Sequence, residues 1–244
     1  MKTMDKQTGH GWWPYLLPYF AFLAAVELSS RMSGTGAAVM LFIKPALPLM
    51  VIGYFWSKGA YPELRRGGLS LGGASQDILV GIGLAALWML PFIGIAAIRP
   101  ESSSPFDPNQ WGSEWAFGVL ALRMFGYAIV TPLFEEVFIR SFVMRYSEVY
   151  MSRGDFRDVP LAHYTMTSFI ATIVVFTIGH VPWEWWVAVP WVALTNLWFY
   201  YRKNLWALIL VHGVTNATIL IVAIIGEGWF TDGAGQAISL WFFV

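Results

Sequence analysis

The sequence predicts an all-α fold, namely a polytopic transmembrane helix bundle of about seven to eight spans. Of its 244 residues, 57% are hydrophobic and only 12% are charged, whereas soluble domains carry roughly 25% charged residues. The apolar residues also come in blocks close to the ~20 residues that a helix needs to cross a bilayer. Because so few charges remain to solvate an ordinary surface, the composition argues against a soluble domain.

Apolar runs mark seven candidate spans, at residues 14–30, 38–57, 77–98, 115–147, 163–181, 185–201 and 204–225. The first run follows Trp-Trp-Pro and lacks a small-x-small cleavage site, so we expect a retained span rather than a cleaved signal. The tail "AISLWFFV" is too short to cross as a helix and should pack on the bundle or lie in the interface. No linker separates two compositions, so residues 1–244 should form one membrane domain with a motif-bearing core at about 115–220.

Lysine and arginine predict the orientation. With a cytoplasmic N-terminus, the outer side holds only Arg31 and Arg99, and two further cations lie within spans. The inner side then holds the other eleven: Lys2, Lys6, Lys58, Arg65, Arg66, Arg140, Arg145, Arg153, Arg157, Arg202 and Lys203. This asymmetry indicates an integral membrane protein with its N-terminus inside, of the cell inner membrane.

Charge and cysteine content exclude several classes of function. The formal net charge is zero, so no basic field favours nucleic acid as a partner. The chain has no cysteine, which removes disulfides, thiolate nucleophiles and cysteine-type zinc sites.

The stretch "TPLFEEVFIR", residues 131–140, places three ionisable groups in an apolar run, where each costs about 2.5 to 3.5 kcal/mol on insertion scales. On a helix, Glu136 and Arg140 are separated by four residues and share a face, with the acid in the favourable N-terminal position. Glu135 lies about 100° further around the helix axis. Glu136 can therefore pair with Arg140 while Glu135 faces a cavity as a candidate base.

Later apolar segments add further polar groups. "VVFTIGHVPW" places His180 at the end of a span, and "LWALILVHGVTNATILIV" places His212 and Asn216 on one helix face. Together with a desolvated glutamate, such groups can activate water. One histidine can share the attacking water, while a second histidine and an asparagine can donate hydrogen bonds to the oxyanion. The set therefore favours hydrolysis by activated water.

Three other interpretations stay open on the residues alone. The charges could form a structural ion cluster, or they could serve a proton-coupled transporter, which uses similar carboxylates and histidines. One glutamate and two histidines could also ligate zinc with an open position, although the chain has no His-Glu-x-x-His signature. We expect no bound cofactor, with zinc as the less favoured alternative.

Three motifs resemble those of the CPBP family, which comprises the type II CAAX prenyl endopeptidases and bacterial relatives described as bacteriocin-processing and immunity proteins. The resemblance covers about residues 115–220. The motifs follow the family's order and rough spacing: EExxxR at Glu135-Glu136-Val-Phe-Ile-Arg140, FxxxH at Phe176-Thr-Ile-Gly-His180, and HxxxN at His212-Gly-Val-Thr-Asn216.

The resemblance implies an intramembrane endopeptidase of the glutamate type, acting on a membrane-anchored peptide or protein in the lipid bilayer. In the family, the residues matching Glu135 and His180 activate water. Those matching His212 and Asn216 form the oxyanion hole. The remaining motif residues would support the site: Glu136, Arg140 and Phe176. Some family members are non-catalytic immunity or assembly proteins, which remains an alternative.

Other charged residues carry weaker signals. Glu27, Lys44 and Arg123 lie within apolar spans, and we expect them to pair with each other or to reach an interface rather than to line a cavity. Glu184 follows His180 in a tryptophan-rich segment and is interpreted as a solvated loop carboxylate. Pro132 is expected to unwind its helix locally and to free backbone groups for the site.

Overall fold

The computed structural model describes residues 11–100, 106–226 and 228–243, and these residues form a helical bundle without a strand. Eight helices occur in them: α1 Trp13–Ser30, α2 Gly34–Ser57, α3 Pro62–Arg66, α4 Leu71–Gly94, α5 Ser113–Val149, α6 Met166–Ile178, α7 Trp185–Arg202 and α8 Leu205–Ile225. The predicted all-α class is thus confirmed. Lys2 and Lys6, which entered the orientation prediction, lie outside the described residues.

Each predicted span coincides with one of the seven long helices. The largest difference is at α4, which begins at Leu71 rather than near residue 77 because Ser70 caps it, its Oγ accepting a hydrogen bond from the Gly73 N–H at 3.2 Å. Four helices of the described residues are long and apolar enough to cross a membrane, namely α2, α4, α5 and α8. Large apolar side chains on their outer faces are exposed, such as Phe42 and Leu79, as expected for contact with lipid.

Helix α8 lies at the centre of the bundle, packed by α4 and α5. Two glycines allow the backbones to approach closely. A Cβ on Gly81 of α4 would lie 2.8 Å from the Val211 carbonyl oxygen, and a Cβ on Gly213 would lie 2.5 Å from that of Ala128 on α5. These contacts hold α8 directly against the part of α5 that carries the glutamates.

Helix α5 contains two π-helical segments, Gly126–Val130 and Val137–Val143. In the first, the Thr131 N–H donates to the carbonyl of Gly126, five residues earlier. The next residue, Pro132, has no N–H to donate. The carbonyl of Tyr127 is therefore left without a helical donor, which agrees with the predicted unwinding near Pro132.

The segment after α8 packs on the bundle, one of the two placements expected for the tail. The Ile238 N–H donates to the Phe230 carbonyl at 2.8 Å and closes a short turn. A 3₁₀ turn, Trp241–Phe243, follows. Phe243 is buried against Phe92 and Trp183.

Candidate active site

A cavity of about 360 Å³ opens among α1, α2, α5 and α8. Five of the residues predicted for the site line it: Glu135, Phe176, His180, His212 and Asn216. The other two, Glu136 and Arg140, are fully buried beside it. The structure therefore brings residues from three separate motifs to one place, although they lie on different helices.

His212 lies between the two glutamates. Its Nδ1 is 2.9 Å from Glu136 Oε1, a hydrogen bond, and its Nε2 is 3.8 Å from Glu135 Oε2, within ion-pair distance. Because an ionised carboxylate only accepts, the Nδ1 atom carries a hydrogen and donates it to Glu136. The Nε2 atom is then directed toward Glu135, whose side chain is 14% exposed.

Arg140 holds Glu136 in place. Its Nε lies 3.5 Å from Glu136 Oε2, as predicted from their spacing, and its Nη2 donates to Thr195 Oγ1 at 2.7 Å. Glu136 Oε2 and Arg140 Nε are both buried without a hydrogen bond among the described residues. The pair therefore interacts mainly through charge, and it leaves hydrogen-bonding capacity unused beside the cavity.

His180 is oriented by a backbone carbonyl near the end of α6. Its Nδ1 lies 2.9 Å from the Phe176 carbonyl oxygen, and a carbonyl accepts only, so Nδ1 carries the hydrogen and Nε2 is an acceptor in the neutral ring. The Phe176 ring stacks on Trp191 with centroids 5.0 Å apart. Trp191 also contacts the ring of His212 at 4.8 Å, so one aromatic stack connects the end of α6, which precedes His180, with α8.

Asn216 uses the carbonyl that the π-helical segment leaves free. Its Nδ2 donates to the Tyr127 oxygen at 2.8 Å. The amide group has a second N–H and a carbonyl oxygen, and the residue lines the cavity. One donor of Asn216 thus fixes the side chain, and the other is available to a ligand.

Glu135 and His180 were expected to act together, but the structure shows no direct contact between them. Among the described residues, the histidine within ion-pair distance of Glu135 is His212. His180 lines the same cavity without such a contact. The spacing within each motif could not reveal this, because the contact joins α5 to α8.

Two interpretations of the weaker signals need correction. Lys44 and Arg123 line the cavity instead of reaching an interface, while Glu27 forms an exposed ion pair with Arg31 on α1. Glu184 also lines the cavity, from the turn between α6 and α7. Burial, reinforced by the nearby Glu135 carboxylate, raises the pKa of Glu184 to about 7, so it is not a solvated loop carboxylate.

Sequence reasoning missed Tyr127, Trp191 and Thr195. Tyr127 contributes a backbone oxygen, which no side-chain motif encodes. Trp191 and Thr195 are four residues apart on α7 and so share a face, which was the available signal. It was weak, because tryptophans are frequent throughout this chain.

The described residues do not form a metal centre. No group of three or more His, Cys, Asp or Glu side chains among the described residues is arranged to hold a metal ion. The Nδ1 atoms of His180 and His212 are both engaged by protein oxygens. The described residues thus lack a three-ligand set for a metal ion.

The fold and site define a helical membrane protein whose bundle encloses a cavity lined in part by glutamate and histidine side chains. Residues 117–218 match the family model described as type II CAAX prenyl endopeptidase Rce1-like. This match agrees with the resemblance to CAAX-type membrane endopeptidases that the three motifs carry. No curated protein and no solved structure matches the chain significantly.

Proposed function

We propose that the protein is an intramembrane endopeptidase that hydrolyses peptide bonds of membrane-anchored substrates with a water activated by Glu135. The observation that carries the proposal is the position of His212, between Glu136 on one side and Glu135 with the cavity on the other. A purely structural ion pair needs only Glu136 and Arg140. The additional carboxylate and imidazole at a cavity wall are the groups that acid–base chemistry requires.

The charges of this group balance when it holds one exchangeable proton. Glu136 and Arg140 compensate each other. Glu135 and His212 are then neutral as a pair in either of two states, one with the proton on the imidazole and one with it on the carboxyl group. Because neither state leaves a net buried charge, moving the proton between them is inexpensive in a medium of low dielectric constant.

The reaction begins with Glu135 as a carboxylate and His212 as an imidazolium. Glu135 takes a proton from water, and the resulting hydroxide attacks the carbonyl carbon of the peptide bond. His180 accepts a hydrogen bond from that water through Nε2 and so orients it. The oxyanion receives hydrogen bonds from His212 Nε2–H and from the second amide hydrogen of Asn216.

The intermediate then collapses. The carboxylic acid of Glu135 gives its proton to the amide nitrogen, and the C–N bond breaks to release a carboxylic acid and an amine. Glu135 returns to the carboxylate form, so one water is consumed and no other reactant is needed. Trp191 and Phe176 enclose both histidines and restrict access of bulk water.

The test is cleavage of a panel of fluorogenic, membrane-anchored peptides by the purified protein. Glu135→Gln and His212→Ala should each abolish cleavage, and a chelator should leave wild-type cleavage unchanged. Glu27→Gln is the matched control, since it replaces a helical carboxylate that lies on the exposed surface of α1. Cleavage that survives Glu135→Gln would contradict the proposed base, and loss on chelation would indicate a metal-dependent reaction.

We further propose that residues 1–244 form one domain of the cell inner membrane with a cytoplasmic N-terminus, as the asymmetry of lysine and arginine indicates. Because the chain has no cysteine, single introduced cysteines report on topology without background. Lys58→Cys should be protected from an impermeant thiol reagent in intact cells, and Arg31→Cys should be labelled. The opposite pattern would reverse the orientation.

A further inference from the structure

The cavity holds two cations that the proposed reaction does not use. Lys44 reaches it from the middle of α2, and Arg123 reaches it from the first part of α5. Both belong to the lining of one cavity, so two like charges share the same enclosed space. They were expected to pair or to reach an interface, but Glu27, the acid considered with them, pairs with Arg31 elsewhere.

Glu135 and Glu184 line the same cavity, but among the described residues no carboxylate lies within ion-pair distance of either cation. Neither Lys44 nor Arg123 forms an ion pair or a side-chain hydrogen bond with the described residues, and Arg123 Nε is buried without an acceptor. The guanidinium group lies over the rings of Phe106 and Tyr127, at 5.1 and 6.0 Å from their centroids. Two like charges in a partly desolvated cavity are costly unless an anion joins them.

The position of the pair relative to the catalytic groups suggests what that anion is. Arg123 and Glu135 are twelve positions apart on α5, which is about 18 Å along a helix. An extended peptide advances about 3.4 Å per residue, so about five extended residues separate a group held by the cations from a bond held at Glu135. Glu135 repels an anionic group at the catalytic end of the cavity, whereas Lys44 and Arg123 attract such a group at the other end.

We propose that Lys44 and Arg123 form an anion subsite, which binds a carboxylate of the peptide substrate about five extended residues from the cleaved bond. This inference rests on the proposed endopeptidase function. Arginine offers two parallel donors to a carboxylate, and lysine adds a point charge. The subsite fixes the direction and register of the peptide, so that one particular bond meets Glu135.

The test measures binding separately from cleavage. Fluorescent peptides bind to the Glu135→Gln protein in phosphatidylcholine nanodiscs, and each peptide with a carboxylate is paired with its neutral amide. One pair differs at the chain end, as free acid or carboxamide, and a second series exchanges Asp for Asn along the peptide. The two series distinguish a chain-end carboxylate from a side-chain carboxylate as the ligand.

At least one acidic peptide should bind about tenfold or more tightly than its neutral partner, as expected for charge-assisted hydrogen bonds. The double substitution Lys44→Met/Arg123→Gln should abolish that preference. The matched control Lys58→Met/Arg31→Gln removes two exposed cations outside the cavity and should retain it. In an otherwise wild-type protein, the cavity substitutions should raise KM for the acidic peptide more than they lower kcat.

Equal binding of all acidic and neutral partners would overturn the subsite, and so would a preference that persists in Lys44→Met/Arg123→Gln. A further arm replaces phosphatidylcholine with phosphatidylglycerol. If the cavity cations govern binding of that lipid but not of acidic peptides, the ligand is a lipid phosphate and the proposal fails. Carboxylate preference without any cleavage would overturn the endopeptidase function alone, whereas Glu135-dependent cleavage without the preference would overturn the subsite alone.

Discussion

Two buried charge clusters in this bundle use the same chemical groups in different ways. In the first, Asp77 of α4 accepts hydrogen bonds from Arg202 Nε and Nη2 and from Trp198 Nε1, all at 2.9 Å. In the second, Glu136 and Arg140 lie 3.5 Å apart and leave buried atoms without hydrogen bonds, and Glu135 faces a cavity. In the first cluster both carboxylate oxygens accept hydrogen bonds, whereas in the second Glu136 Oε2 accepts none among the described residues.

The difference separates a structural ion pair from a reactive one. A carboxylate that accepts three donors is held in one geometry, so it links α4 to α7. A carboxylate such as Glu135, which is close to an imidazole but not hydrogen-bonded to it, can gain and lose a proton. Burial and charge alone would not distinguish the structural carboxylate from the reactive one. The number of hydrogen bonds that each carboxylate accepts distinguishes them.

The largest expected effect is that of Glu135→Gln on turnover. Loss of a general base should lower kcat by about 10³-fold, while the melting temperature in detergent stays unchanged or rises, because a buried carboxylate without a hydrogen bond becomes neutral. The measurement is cleavage per folded molecule together with thermal unfolding. A variant that melts much earlier would place Glu135 among the structural charges.

Asp77→Asn should show the reverse behaviour. It removes the charge that binds Arg202 and leaves a guanidinium poorly paired, so the free energy of unfolding should fall by about 2–3 kcal/mol. Turnover per folded molecule should stay near that of the wild type, because Asp77 does not line the cavity. If the variant folded normally but failed to cleave, Asp77 would belong to the functional cluster.

Gly213→Ala tests whether the close contact of α8 with α5 positions the site. The added Cβ would lie 2.5 Å from the Ala128 oxygen, so the helices must separate, at a cost of about 1–3 kcal/mol. We expect turnover to fall about tenfold, since His212 moves relative to the glutamates. Gly83→Ala is the control, because nothing lies within 4 Å of its Cβ position, and equal losses in both variants would contradict the account.

Glu184→Gln should have the smallest effect, a shift in pH dependence. Because the pKa of Glu184 is raised to about 7, its carboxylate is negative above that pH, where it opposes ionisation of the nearby Glu135. Removing this charge should shift the rising limb of the kcat/KM profile to lower pH, by a few tenths of a unit. The profile of Glu27→Gln should be unchanged, and an upward shift for Glu184→Gln would contradict the proposed electrostatics.

The sequence predicted those features that depend on local spacing. The apolar runs located the long helices, and the four-residue intervals of Glu136 with Arg140 and His212 with Asn216 placed each pair on one helix face. For the first pair this led directly to the observed ion pair. Motif order on successive helices was enough to suggest that the residues share a site.

Contacts between helices were beyond such reasoning. The position of His212 between both glutamates depends on the approach of α8 to α5 at Gly213, and the anchoring of Asn216 depends on a π-helical carbonyl. Lys44 was misinterpreted for the same reason, because its surroundings are set by neighbouring helices. Spacing along one helix defines a face, but packing decides what that face meets.

The central claim is that Glu135 activates water for peptide-bond hydrolysis, and mass spectrometry of cleavage in H₂¹⁸O tests it most directly. A membrane-anchored peptide is incubated with the wild type, Glu135→Gln and Glu27→Gln, and both product fragments are weighed. The account predicts a new amine and a new carboxylate carrying one ¹⁸O from the wild type and Glu27→Gln, and no product from Glu135→Gln. Product formation by Glu135→Gln at the wild-type rate would contradict it.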